Sequence, residues 1–239
     1  MTVKPIIFSG PMIRALLDGR KTQTRRVLKS PRDGSGWYRH PETGAIINSM
    51  GGPLPTVPYA PGALLWVRET WRTPLLPGGV PAIEFRADGT WVDWYQFMNR
   101  LPHPSCAHDD WRAPNLRRWR PSIHMPRWAS RLTLEVTGVR VERLQDISEE
   151  DARAEGIECR SVKCADGQER ELWFGVPHAG SERPTDAFAD LWDSINNPRG
   201  YCAEDAPHSW CANPWVVAVS FRVHHANVGT VLEREAVNV

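Results

Sequence analysis

No run of 18 apolar residues occurs anywhere in the 239-residue sequence, so nothing in it reads as a membrane-spanning helix. The opening Met1-Thr2-Val3-Lys4-Pro5 lacks the apolar stretch of a secretion signal. Cysteine is scarce, five in all, odd in number and irregularly spaced, so no disulfide framework is legible. These shortages point to a cytoplasmic location. An excess of one charge is missing too. Lys and Arg number 29 against 28 Asp and Glu, a net charge of +1. A nucleic-acid partner would therefore have to meet a local basic face rather than a globally basic protein. Internal repeats and low-complexity tracts are likewise absent.

What is present in quantity is tryptophan, with 12 residues, beside 21 prolines and 18 glycines. The tryptophans can serve as bulky core or as stacking platforms. A hydrophobic content of 41% supports a real core. Periodic pattern is confined to short segments. Pro11 to Asp18 reads as a helix, with Pro11 at its first helical position and Gly19 as a left-handed cap. Lys29 to Pro61 shows no sustained period and reads as an excursion. Ala63 to Thr70 predicts a strand. Asp88-Gly89 predicts a hairpin between Ala82–Arg86 and Thr90–Trp94. Arg131 to Arg143 is the clearest long strand, with a bulge expected at Gly138. Ser148 should cap a short acidic helix ending at Glu155-Gly156. Thr185 or Asp186 should cap a stronger helix in which Phe188, Leu191, Trp192 and Ile195 follow the helical period. Trp215 to Val223 alternates as a final strand.

Short strands scattered among two or three helices predict an α+β fold built on a small β-barrel. The expectation is one domain over 1–223, with insertions near 30–60, 96–127, 158–183 and 197–212. Residues 224–239 read as a tail.

The most concentrated chemistry is Gly19 to Arg26, Gly-Arg-Lys-Thr-Gln-Thr-Arg-Arg, which crowds four cations and two hydroxyls into seven residues. Arg supplies a planar fork of donors and Lys a mobile point charge, both suited to phosphate or an oxyanion. In a regular strand Lys21 and Thr24 would point to opposite faces, so bringing them to one site requires a turn or bulge between them. The pattern Gly19-x-Lys21-x-x-Thr24-x-Arg26 resembles the signature of ASCH domains, small β-barrels related to the PUA RNA-binding fold. Thr24 stands where that family more often has Glu, a departure shared by the bacterial N(4)-acetylcytidine amidohydrolases. The resemblance extends to Leu65–Arg68, Leu132–Val136, the acidic helix ending at Glu155 and the strand Trp215–Phe221. In its long insertions the chain looks like the larger ASCH-like proteins of phages and prophages.

The resemblance implies catalytic roles for three residues. Thr24 would be the nucleophile, Lys21 its activator and Glu155 a proton-handling partner. A Thr hydroxyl needs such a base, and a desolvated Lys beside Arg25 or Arg26 can act as one. Arg25 and Arg26 would also hold the ligand. A second constellation runs from Arg120 to Arg131, where Ser122, Arg127 and Trp128 are ligand-binding candidates. Trp128 would stack on a base and Arg127 would pair a phosphate or base edge. The basic cluster Arg112 to Arg120 adds to the case for nucleic acid. His103, Cys106 and His108 form one cluster of metal-binding residue types, and Cys202, His208 and Cys211 another. Neither has the paired spacing of a strong zinc signature, and no metal or cofactor is expected. Three functions remain open: hydrolysis of an amide on a modified pyrimidine, non-enzymatic reading of RNA or modified DNA, and RNA cleavage. RNA is the favoured macromolecular partner over DNA.

Overall fold

The computed structural model describes residues 2–29, 36–41, 43, 45–48, 57–76, 80–93, 118–163, 167–176, 179–200 and 206–237. In chain order the strands are β1 (Val3–Ile7), β2 (Gln23–Val27), β3 (Trp37–Arg39), β4 (Ile46–Asn48), β5 (Leu64–Arg68), β6 (Trp71–Arg72) and β7 (Ala82–Phe85). They continue with β8 (Trp91–Asp93), β9 (Thr133–Arg143), β10 (Glu158–Lys163), β11 (Glu169–Val176), β12 (Ala179–Ser181) and β13 (Trp215–His224). The helices are α1 (Gly10–Leu17), α2 (Glu149–Ala154), α3 (Pro184–Asn196) and α4 (Val228–Val237). The fold is α+β, mostly sheet. Among the described residues the sheets are open, and none closes into the expected barrel.

The chain divides into two compact units, each made of separated segments. The first comprises Met1–Gly19, Gly62–Val136 and Phe221–Val239. Its main sheet has the order β1-β5-β9-β13, with β1 parallel and β9 antiparallel to β5. Leu64, Leu65, Trp66 and Val67 are all buried, as expected of a strand covered on both faces. On one face Leu64 and Trp66 pack against Val228 and Val231 of α4. Residues 224–239 are thus not a tail outside the core, because the first turns of α4 supply part of it. The helical spacing of Val228, Val231 and Leu232 carries that signal over a single turn only. Helix α1 starts and stops as expected, with Pro11 in its first turn and Gly19 at φ +74°. The hairpin turn at Asp88-Gly89 is also as read, and Asp88 Oδ1 accepts the Thr90 backbone N–H at 3.2 Å.

The second unit comprises Arg20–Pro61 and Thr137–Ser220. Here the sheet order is β9-β13-β2, and Thr24 of β2 lies opposite Val219 of β13 in antiparallel register. Trp215 to Val219 are buried without interruption, so this strand is covered on both faces, where alternation alone suggested one. Strand β9 runs continuously through Gly138. Two supposed loops carry strands. Residues 37–48 hold the β3-β4 hairpin, and 158–181 hold the antiparallel sheet β10-β11-β12. Leu144, Ile147, Ala152, Ile157, Phe188 and Trp192 belong to the core of this unit. Helix α3 begins at Pro184 with Arg183 at its N-cap and no side-chain cap, so neither Thr185 nor Asp186 plays the expected part. Ile195 stays 49% exposed although the period placed it inside.

Candidate functional site

The motif Arg20–Arg26 lies in the second unit, and its geometry follows from where β2 begins. The strand starts only at Gln23. Lys21 precedes it as an isolated bridge partner of Glu155, and the Thr22 backbone N–H donates to the Ala154 carbonyl at 2.9 Å. Lys21 thus stands outside the strand that carries Thr24. Glu155 is held by its own helix. Ser148 Oγ accepts the Asp151 N–H and caps the start of α2, and Glu155 forms its C-cap at φ −70°, ψ −8°. Gly156 follows at φ +94°, a conformation that favours glycine, and turns the chain away.

Lys21 and Glu155, 134 residues apart, meet as a buried pair. Lys21 Nζ donates to Glu155 Oε2 at 2.8 Å and to the Glu155 carbonyl at 2.7 Å. Arg25 takes the other carboxylate oxygen, Nη1 donating to Oε1 at 3.2 Å. The Arg25 guanidinium also donates to Gln23 Oε1 at 2.5 Å, Glu142 Oε1 at 2.6 Å and Asp151 Oδ2 at 2.8 Å. Gln23 Nε2 donates to Asp151 Oδ1 at 3.1 Å, and half-exposed Arg140 donates to Asp151 Oδ2 at 2.5 Å. Three carboxylates therefore face Lys21, Arg25 and Arg140. Burying so many charges is tolerable only because each has partners of opposite sign.

Burial pushes the Lys21 ammonium below its usual pKa. The Glu155 charge and hydrogen bond oppose that shift, while Arg26 and then Arg25 reinforce it. Partial burial raises Asp151, but hydrogen bonds from Arg25 and Gln23 and the charges of Arg25 and Arg140 outweigh it, leaving its pKa lowered. Arg25 Nε is buried with no hydrogen-bond acceptor among the described residues, the one donor of that guanidinium left without one.

Alternation along β2 puts Gln23 and Arg25 on one face and Thr24 and Arg26 on the other. Thr24 is buried. The charges of Arg26 and Arg25 both act to lower the Lys21 pKa. Glu142 and Asp151 are the residues that reading by motif missed. Asp151 was visible only as part of the helix cap, and nothing local marked Glu142.

The remaining candidates lie in the first unit. Ser122 opens the 3-10 turn Ser122–His124, and Arg127 opens the turn Arg127–Ala129. Arg127 is exposed. Trp128 packs against the core cluster of Trp71, Phe85 and Met125, meeting Trp71 edge-on with ring centroids 6.1 Å apart. The turn is fixed from outside: Asn227 Nδ2 donates to the carbonyls of Arg127, Trp128 and Ser130 at 2.9, 3.2 and 2.8 Å. Nearby, Arg131 grips Glu69 through Nε at 2.8 Å and Nη2 at 2.9 Å, and Asp88 through Nη1 at 2.8 Å. Burial pushes Glu69 up, against the hydrogen bonds and charge of Arg131.

His103, Cys106, His108, Cys202 and Arg112 to Arg117 lie outside the described residues. Among the described residues no group of three or more His, Cys, Asp or Glu is placed to hold a metal. No helix among them is long and apolar enough to cross a membrane. Compared with protein-family models, curated proteins and solved structures, the chain finds no match.

Proposed function

We propose that this is an ASCH-type, PUA-like protein whose Lys21–Glu155 site binds a modified pyrimidine nucleoside, free or within RNA, and hydrolyses its exocyclic amide. N(4)-acetylcytidine is the model substrate. The observation that carries the reading is the buried Lys21–Glu155 pair, assembled from two distant segments with Arg25 on the same carboxylate. Structural ion pairs also occur in cores. This one combines a burial-lowered Lys with an unsatisfied guanidinium N–H, features that a site accepting a carbonyl oxygen would use.

In the proposed reaction Thr24 Oγ1 bonds to the acyl carbon while its proton passes to Lys21 in the amine form. The C–N4 bond then breaks, and Lys21 returns the proton to the departing amine. Water next attacks the acyl-Thr24 ester with Glu155 accepting its proton; the ester C–O bond breaks as Glu155 passes that proton to Thr24 Oγ1, which releases the carboxylic acid and restores both side chains. A second route is favoured by the alternation that separates Thr24 from Arg25. In it a water gives its proton to Glu155 and attacks the acyl carbon while Lys21 as ammonium steadies the oxyanion; the C–N4 bond then breaks as Glu155 returns the proton to N4, releasing the carboxylic acid and the amine.

The test is incubation with N(4)-acetylcytidine, with mass detection of cytidine and acetate. Turnover that Glu155→Gln abolishes supports hydrolysis at this pair. Thr24→Ala then separates the routes, ending turnover in the first and sparing it in the second. Binding without turnover would leave the site a reader of the nucleoside, and neither binding nor turnover would overturn the proposal.

A further inference from the structure

The three-stranded sheet β6-β7-β8 of the first unit has an outer face of unexpected composition. Register and alternation define it. Trp71 and Phe85 pair across β6 and β7 and belong to the core, as does Ile83. The neighbouring positions therefore point the other way. Arg72 lies opposite Glu84, and Glu84 opposite Trp91, so one row crosses all three strands. Arg72 donates to both Glu84 oxygens, at 2.7 and 2.9 Å. Trp91, at the end of the row, is 54% exposed.

Trp119 lies against the same arginines. The Arg72 guanidinium stands 4.4 Å from its ring centroid and that of Arg86 stands 5.7 Å away. Next along the chain, Arg120 stands 4.7 Å from the Trp71 ring. Arg86 and Arg118 are exposed, and among the described residues no carboxylate is paired with either. A solvent face needs neither an open indole nor cations held on indoles. Interleaved arginines and tryptophans do suit one ligand chemistry, phosphates spaced between flat bases.

We propose that this face is a binding platform for single-stranded nucleic acid. Trp91 stacks on a base, Arg86 and Arg118 meet phosphates, and Glu84 holds Arg72 at a fixed height beside Trp119. Double-stranded helices are the poorer fit, because their bases are already stacked and offer no ring face to Trp91. The inference is independent of the Lys21–Glu155 site, and Trp128 takes no part, since its ring is committed to the core.

The experiment is fluorescence anisotropy of the full chain with a labelled oligouridylate and the matching oligothymidylate across a salt series, with heparin as a charge-only control. Trp91→Ala removes an exposed ring and leaves the core alone. It should weaken oligonucleotide binding roughly tenfold while leaving heparin binding unchanged. Arg86→Ala with Arg118→Ala should make the log–log salt slope shallower by about 1.4, or about 0.7 for each lost phosphate contact on a single strand. A preference for oligouridylate would assign the face to RNA, and equal binding would assign it to either strand chemistry. The proposal is overturned if neither oligonucleotide binds, or if Trp91→Ala binds both as tightly as the parent chain.

Discussion

Lys21→Met is the most informative single substitution. Methionine keeps the unbranched length of lysine and removes only the ammonium. Glu155 would lose its 2.8 Å partner and keep the Arg25 contact at 3.2 Å, while its own carbonyl would lose a 2.7 Å donor. Breaking one side of a buried ion pair costs about 3–5 kcal/mol, because a desolvated charge is left behind. Arg25 retains part of the compensation, which argues for the lower end, about 3 kcal/mol. At roughly 2–4 °C per kcal/mol for a chain of this size, Tm should fall by about 10 °C. The pH dependence gives a second readout. The folded pKa of Lys21 lies below 10.5, so the unfolded chain holds that proton more tightly. Parent stability therefore rises with pH from the lowered folded value up to 10.5, and Lys21→Met should lack that rise. Urea and thermal unfolding at several pH values measure both effects. A loss under about 1 kcal/mol would refute the argument, since that is what an exposed pair contributes.

Other outcomes follow from individual contacts. Gly175→Ala would place a Cβ 1.8 Å from the Ala187 carbonyl oxygen, a backbone atom that cannot step aside. It should destabilise by roughly 3 kcal/mol or more in urea unfolding, and an effect under about 1 kcal/mol would show that β11 and α3 can separate. Asp151→Asn removes a carboxylate whose folded pKa lies below 3.8. The parent should lose stability as pH falls from 3.8 through that lower value, and the variant should lose less over the same range; identical acid limbs would contradict the network. Val228→Asp buries an unpaired carboxylate against Leu64 and Trp66 and should destabilise by several kcal/mol, with α4 becoming the first site of limited proteolysis. A parent-like digestion pattern would show that α4 is not part of the core.

Local signals were the legible ones. The start and stop of α1, the Asp88-Gly89 turn and the Ser148 cap each need only a few neighbouring residues, and each stands where the sequence placed it. The meeting of Lys21 with Glu155 followed from a motif. Strands β10 to β12 were not legible, because Glu158-Cys159-Arg160-Ser161-Val162-Lys163 has no apolar alternation to show. That sheet is set by pairings such as Glu158 with Phe174, which local pattern does not specify. The same holds for Glu142. Its place beside Arg25 depends on β9 and β2 sharing a sheet with β13 between them.

The segmented build of the two units reverses the order in which they can be finished on the ribosome. The unit that begins with Val3–Ile7 needs Phe221–Val239, which are made after Ser220, whereas the other is complete at Ser220. After Val136 leaves the ribosome, about 84 residues must still be made before β13 can close the sheet beside β9. At roughly 5–20 residues per second that is about 4–17 s. For that time the open edge of β9, and Leu64 and Trp66 without the valines that cover them, are sites for chaperone capture or for pairing with another nascent chain. The turn at Arg127–Ser130 waits equally long, since the amide that sets its carbonyls is Asn227.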